Sequence, residues 1–592
     1  MFMQFQERFR GLFWAGAFLF VLFLSVGGCK SWLPSGNWFP GRKDKDPAED
    51  TFSLQTEDGR ARLVGDCVMV GNYQSVPVFG YGLVVELPGT GGEDANSFHY
   101  RMVFDRLNRD KWTNIRSILA RPDTAVVEIR GQMHPGIQQG DRFDVDILLP
   151  PETDTRSLRN GILLETRLAE METFGNEAAS GVTRAVVAGP IMVDDLLATE
   201  LTNPGGLKKG RILSGAIVTS ESRMLSLIMK EKSFFGVEQI AKSINDRFHM
   251  PTGARRGVAS AETDALIVLS VHPAYANDVD RFVRVIQSIA VFETTIQRHQ
   301  RIERLKEELH NPVTAQRAAF QLEAIGRPGI EALQQALRSS DREIQFYAAT
   351  SLAYLGDGTS ARILADLARQ EPAFRVYALN ALSVMKNDLE AEYHLQELLH
   401  VPSAETRYGA FRALKNRNPW DHTIRGEVLG GQFSYHTITS QTAPMVHITT
   451  RKHQEVVLFG TEIFVQQPFA LEAGATIVIN GREPGRVAVT KIASTGLDQR
   501  REFHSNRLDE IIRAVVELGG TYPDVVQMLQ QADLMGVLSC RLEVNCLPEP
   551  NRVYRRPGNE EWEYEEEEEK PRSFWERMDP RNMFPSNSGG ST

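Results

Sequence analysis

The sequence predicts an α+β, multidomain protein in which β-rich modules are interrupted by an α-solenoid of short helical repeats. Three observations carry that prediction. Short β-branched apolar runs bounded by Gly, Pro or Asp dominate residues 58–296 and return after residue 420. Between them, residues 297–419 are charged helical text whose leucines and alanines recur about every 30 residues. The length, 592 residues, leaves room for about four domains at roughly 150 residues each.

Composition narrows the class. Hydrophobic residues are 42% and charged residues 24%, ordinary for a folded globular chain, which excludes a multi-span membrane protein, a wholly disordered chain and a collagen-like fibre. A net charge of −10 gives no basic footprint, so no nucleic acid is expected as a partner. Four cysteines are too few for a disulfide-built scaffold.

The first element is an export signal over residues 1–28. Arg8 and Arg10 precede an apolar run from Gly11 to Gly28, short for a lasting membrane span. Val26-Gly27-Gly28-Cys29 resembles a bacterial lipobox, which implies cleavage after Gly28 and acylation of Cys29. Several acyl chains hold a membrane stably where one does not. Lys30 follows the cysteine, and an outer-membrane anchor facing the periplasm is then expected; a plain signal peptide with an incidental cysteine is the alternative. Residues 29–57 read as the lipidated cysteine and a flexible Pro-, Gly-, Ser- and charge-rich tether.

Residues 58–200 form an expected N-terminal β-rich module. Strands are predicted from Arg62 to Val70, Val78 to Leu87, Thr124 to Arg130 and Arg142 to Leu149. The last alternates, with Phe143, Val145, Ile147 and Leu149 on a core face and Asp144 and Asp146 on a solvated one. An α/β module is expected over residues 201–296. Its strands run from Arg223 to Met229 and Ala265 to Val271, with helical faces at Val237, Ile240, Ala241, Ile244 and Phe248 and at Phe282, Val283, Ile286, Ile289 and Ala290.

The repeat over residues 297–419 shows as Ala318, Ala348 and Ala378, as Leu322, Leu352, Leu382 and Leu414, and as Tyr347, Tyr377 and Tyr408. Leu337, Leu367 and Leu398 keep the phase of a second helix. Helix pairs at a fixed period bury their apolar faces only against the next pair, and the spacing resembles short HEAT-like repeats. A solenoid of this kind implies a protein partner, here unknown.

Residues 420–505 read as a β-rich segment, and 506–548 as a helix-helix-strand close in which Pro523 opens the second helix and Gly536 ends it. Residues 549–592 are polar, with an acidic run from Glu565 to Glu569, and read as a solvated, disordered tail.

With Cys29 lipidated, Cys67, Cys540 and Cys546 remain. A strand through Ser539–Cys546 would hold its two cysteines roughly 20 Å apart, beyond bridging distance. A disulfide would then join Cys67 to one of them; three free thiols are the alternative.

The text outside the repeat resembles the flagellar basal-body P-ring protein family, over roughly residues 60–295 and 505–548. Gly80-Tyr81-Gly82-Leu83-Val84-Val85 and Gly89-Thr90-Gly91 are similar to the family's N-terminal signature. Gly140-Asp141-Arg142 leads to Ser157-Leu158-Arg159-Asn160-Gly161, and Leu518-Gly519, Pro523-Asp524 and Gly536-Val537-Leu538 are similar to its C-terminal close. Order along the chain carries the resemblance more than any single motif. It implies a periplasmic structural subunit that self-associates into a ring around the flagellar rod. Rod and L-ring proteins are the implied partners and peptidoglycan is a further candidate. The lipobox, the inserted repeat and the weakly similar 420–505 region depart from the family pattern. A non-flagellar envelope lipoprotein that binds a partner through its repeat is the rival reading.

Enzyme chemistry is not expected, nor a cofactor or metal. The glycines at 80, 82, 89 and 91 do not complete GxGxxG and no GKS or GKT follows, so turns between strands explain them. His422, His436, His447 and His453 are 14, 11 and 6 apart, without the i, i+4 spacing of a helical zinc site. No GxSxG, HExxH or CxxC occurs.

Overall fold

The computed structural model describes residues 52–556 apart from 57–59, 93–96, 152, 175–176, 198–201, 250–256 and 494–495. The signal, Cys29 and most of the tail lie outside the described residues. The chain begins with α1 (Val64–Cys67), β1 (Val68–Gly71), β2 (Val76–Val85), α2 (Phe98–Arg109), α3 (Ile115–Leu119), β3 (Ala125–Met133) and β4 (Arg142–Leu148). β5 (Ile162–Phe174), β6 (Glu177–Pro190), β7 (Met192–Val193), α4 (Pro204–Leu207) and β8 (Lys209–Val218) follow. β2, β3, β4, β5, β6 and β8 form an antiparallel sheet that closes, because β4 pairs with β3 on one side and β8 on the other. Closure removes the sheet edges that would otherwise invite aggregation.

Alternation explains the barrel interior: Val127 and Ile129, Phe143, Val145 and Ile147, Leu168, Ala185, Val187 and Ile212 are all buried. β2 is apolar on both faces because its outer face is also covered. Leu83 and Val126 pack under Val103 and Leu107 of α2 and Ile115 and Leu119 of α3.

The next elements are β9 (Leu225–Met229), α5 (Phe234–Arg247), β10 (Ala259–Ala261), β11 (Leu266–Leu269) and α6 (Val279–Gln287). They build a second, four-stranded sheet in the order β1-β9-β11-β10, with the helices packed through Ile240, Ile244, Phe282 and Ile286 onto Leu225, Leu227 and Ile267. The expected boundary at residues 200/201 is therefore corrected. β8 closes the barrel, whereas β1 pairs with β9 across the whole barrel sequence, so the α/β module is discontinuous. Residues 64–67, expected within a strand, are helical. Phe52, expected in the tether, is buried in the α/β core.

Helices α7 (Thr295–Leu309), α8 (Pro312–Ile325), α9 (Ile330–Ala336), α10 (Arg342–Tyr354), α11 (Ala361–Gln370), α12 (Arg375–Val384), α13 (Leu389–Leu398) and α14 (Ala404–Arg417) occupy the repeat region. Leu322, Leu352, Leu382 and Leu414, with Ala318, Ala348 and Ala378, are all fully buried. The phase read from sequence is thus the phase of the packed stripe. First helices begin at Asn311, Asp341 and Ser403, each of which caps through its side chain.

The last part comprises β12 (Gly426–Leu429), β13 (Phe433–Ile438), β14 (Met445–Ile448), β15 (Glu455–Phe459), β16 (Ala470–Ala473), β17 (Ile477–Asn480), β18 (Val487–Lys491) and β19 (Gln499–Phe503). It ends with α15 (Leu508–Glu517), α16 (Tyr522–Leu534) and β20 (Arg541–Val544). The sheets run β12-β13-β15-β14-β20 and β16-β17-β18-β19. Residues 420–505 and 506–548 are not separate units. β20 pairs with β14, and Ile512, Val515, Tyr522 and Leu529 share one core with Val456, Ile479 and the barrel interior. That long-range pairing is invisible to local periodicity.

Candidate functional site

The residues that carried the family resemblance hold the barrel together. Gly80 and Gly82 lie inside β2 and not in a turn, which corrects the expectation. A Cβ on Gly80 would stand 2.7 Å from the Arg167 carbonyl oxygen and one on Gly82 2.7 Å from Leu163, where the β2–β5 register shifts. Tyr81, between them, is half-buried on the outer face near α2. Gly89, with φ of 75°, does lie in a turn, and a Cβ on Gly91 would stand 2.2 Å from the Thr124 carbonyl oxygen. Ser157 and Leu158 are buried, and a Cβ on Gly161 would stand 2.5 Å from Val84. The two distant motif blocks meet: Asn160 donates to Asp524 at 3.3 Å, at the start of α16. Leu518 is buried, and Gly519 and Gly536 follow α15 and α16 with φ of 86° and 66°.

Chemistry concentrates where the repeat joins its neighbours. At its start, Arg281 of α6 pairs with Glu323 of α8, which is fully buried. Tyr275 donates to the same carboxylate at 2.7 Å, Arg281 donates to Ser351 of α10 at 3.1 Å, and the guanidinium lies 4.4 Å from the Tyr354 ring. Burial alone would lower the Arg281 pKa, but Glu323 outweighs it and holds the guanidinium firmly charged.

At its end, Glu455 opens β15 and is 1% exposed. It accepts from Tyr408 at 2.9 Å, from Lys415 at 2.5 Å and from Arg412 at 3.4 Å, all on α14. Burial would raise this carboxyl; Arg412 and Lys415 overcome that and hold it at about 2.

Three of the four sequence-clustered histidines gather here. Val457 faces His436 on one neighbouring strand and His447 on the other, two residues from Glu455. Lys415 donates to His436 Nε2 at 3.1 Å, and Arg412 donates to His453 Nε2 at 2.9 Å. His447 stacks on Tyr408 and accepts from the Cys546 amide at 3.0 Å; burial pushes its pKa down to about 3. His422 stays exposed. Sequence reasoning missed Glu455. Its one signal was a carboxylate opening a strand, Glu455–Phe459, in which every residue is buried.

A cavity of about 520 Å³ opens between the barrel and this junction, lined among others by Arg142, Ser214, Arg412, Lys415 and Glu455. Asp144 and Asp146, expected on a solvated face, are engaged: Asp144 accepts from the Ser214 amide at 2.8 Å and Asp146 pairs with Arg211 at 2.7 Å. Among the described residues no group of three or more His, Cys, Asp or Glu is placed to hold a metal.

Cys67, Cys540 and Cys546 are free thiols, so the Cys67 pairing is not made. Cys67 is buried in the α/β core while Cys540 packs against the barrel-side core, and Cys546 against the repeat. Burial raises all three thiol pKa values, Cys540 to about 11 and Cys546 to about 12.

The described residues thus build a closed barrel, a helix-covered sheet and a solenoid, joined by buried ion pairs. Residues 63–302 match the flagellar P-ring protein family, and residues 302–383 match HEAT repeats. The flagellar P-ring protein of Geobacter sulfurreducens is 29% identical over 226 residues, which cover 36% of this chain and 56% of that protein. That of Geobacter metallireducens is 26% identical over 230 residues, covering 36% and 57%. That of Geotalea uraniireducens is 26% identical over 333 residues, covering 53% and 84%. The chain spans little more than half the length of the first two. Over residues 63–302 the chain is similar to flagellar P-ring proteins and over residues 302–383 to HEAT repeats.

Proposed function

We propose that this protein is a lipid-anchored structural subunit that assembles into a periplasmic, P-ring-like ring around the flagellar rod. The observation that carries the reading is the family match over residues 63–302, which takes in the barrel and most of the α/β module. Lipidation at Cys29 would fix the ring to the outer membrane. Rod and L-ring proteins would be its neighbours, and peptidoglycan could contact its rim. Closed rings need heterologous contacts between different surfaces of successive copies. The barrel and the α/β module supply those surfaces in this reading, and the repeat projects from the ring.

Electron microscopy of purified basal bodies carrying a labelled copy tests it. Label in a ring around the rod supports the reading, and its absence from intact basal bodies rejects it. Mass spectrometry of the mature chain tests the anchor: an acylated Cys29 is expected, and an unmodified one removes the membrane attachment.

A second reading is favoured by the HEAT match over residues 302–383. It makes the protein a non-flagellar envelope lipoprotein that binds a partner through the repeat. Wild-type motility and normal basal bodies after gene deletion would favour it.

A further inference from the structure

Residues 549–556 were expected to open a solvated tail, yet residues 552–556 lie on the repeat. Arg552 donates to both carboxylate oxygens of Glu405, at 2.9 and 2.5 Å. Tyr554 lies 4.6 Å, ring to ring, from Phe374, which itself stacks on Phe346 at 4.3 Å. Arg556 donates to Glu343 at 3.1 Å and approaches Asp341 at 3.8 Å. Side chains two apart turn toward the repeat. Val553, between them, is 83% exposed, which is the alternation of an extended strand.

The receiving residues keep the period of the solenoid. Glu343, Phe374 and Glu405 are 31 residues apart, each at the start of a first helix, α10, α12 and α14. Extended chain advances about 6.6 Å over two residues, and packed helices lie about 8–10 Å apart. The long arginine side chains on either side of Tyr554 make up that difference. Acidic side chains in a helix's first turn are favoured by its dipole, so the groove is preset for cations at its two ends. Glu405 is further fixed by Arg375, which donates to it at 2.6 Å. The arginines remain 35% and 38% exposed, and exposed ion pairs of this kind are individually weak, so the segment is held exchangeably.

We propose that the starts of α10, α12 and α14 form a peptide-binding groove that reads an extended Arg-x-Tyr-x-Arg segment at one side chain per repeat. The protein's own residues 552–556 fill it, and a partner protein segment of the same basic-aromatic-basic chemistry competes for it. The inference rests on the repeat and residues 552–556, and stands whether or not the protein forms a ring.

The test uses the full chain and a fluorescent synthetic peptide of residues 549–556. A variant with Arg552→Glu, Tyr554→Ala and Arg556→Glu together should bind the peptide at least tenfold more tightly than the unaltered chain, by fluorescence anisotropy. Adding Glu343→Lys and Glu405→Lys should return binding to the unaltered level. Equal binding by the unaltered and released chains would overturn the proposal, as would binding that survives loss of both glutamates. If the triple variant does not fold, Tyr554→Ala alone should still gain about threefold. On the unaltered chain, excess peptide should speed amide exchange at residues 552–556. Unchanged exchange there, with no gain in Tyr554→Ala, would also overturn it.

Discussion

Both ends of the helical repeat are fastened by a buried glutamate, but in different company. At the start, Glu323 meets one arginine, itself only 9% exposed. At the end, Glu455 meets Arg412 and Lys415, which keep 18% and 23% of their side-chain surface. The first is a closed pair, in which each charge depends on the other. The second is an open network, in which the cations retain a route to water while two buried histidines sit beside the acid. The closed pair should fail all at once when one member is removed, and the open network by degrees. Neither junction resembles a flexible splice. Residues 297–419 are wired into both neighbours, so their removal would orphan Arg281 and Glu455 together.

The largest expected effect follows from breaking the closed pair. Glu323→Ala leaves Arg281 buried without a counter-charge and should cost about 3–5 kcal/mol, seen as an earlier first transition in urea. Changing both at once, Arg281→Met with Glu323→Leu, should recover most of it, because replacing a whole buried pair by apolar groups is often close to neutral. If the double variant is as unstable as the single one, the pair is not acting as a closed unit.

The open network should yield less. Glu455→Gln should cost about 1–3 kcal/mol, since Tyr408 keeps an acceptor and the two cations can turn toward solvent. A loss as large as that of Glu323→Ala would erase the distinction between the junctions.

Acid should separate them more finely. Folded His447 titrates at about 3 against an ordinary 6.5, so the unfolded chain takes up its proton first as pH falls. Stability from this site is whole above pH 6.5 and is lost on descending toward 3, at up to about 1.4 kcal/mol per pH unit. Glu455, at about 2 against 4.5, adds a second loss that begins near pH 4.5 and continues to about 2. Urea unfolding across pH 7.5 to 4 should show the slope, and His447→Gln should flatten its upper part.

The smallest effect is expected away from both junctions. Asp146→Asn breaks a half-exposed pair with Arg211 on the barrel and should change stability by less than about 1 kcal/mol in the same assay.

The repeat was the most legible part of the molecule because its contacts are nearly local. Leu352 and Leu382 pack against neighbours one period away, so sequence spacing is spatial spacing. The alternation over β4 was legible for the same reason. What stayed hidden depends on pairing between distant segments. Nothing in Val68–Gly71 says that it will join Leu225–Met229, more than 150 residues on. The histidines looked scattered because spacings of 14, 11 and 6 hide a row made by parallel pairing of β13 with β15 and antiparallel pairing of β14 with β15. The β20 segment was read as a strand, but its place beside β14, and hence the meeting of Cys546 with His447, was not in its local pattern.

The discontinuity of the α/β module has a mechanical consequence. Whatever pulls on the chain ahead of residue 60 does not reach the barrel first. It reaches Phe52, buried in the α/β core, and then the segment around Leu63, which bridges to Ala290 through hydrogen bonds from Val64 to Ile289 and from Val291 to Arg62, both 2.8 Å. Tension arriving from that side is therefore spent on the small module, with α6 and the Arg281–Glu323 junction directly behind it. If the proposed anchor carries load, that load meets the small module before it meets the closed sheet.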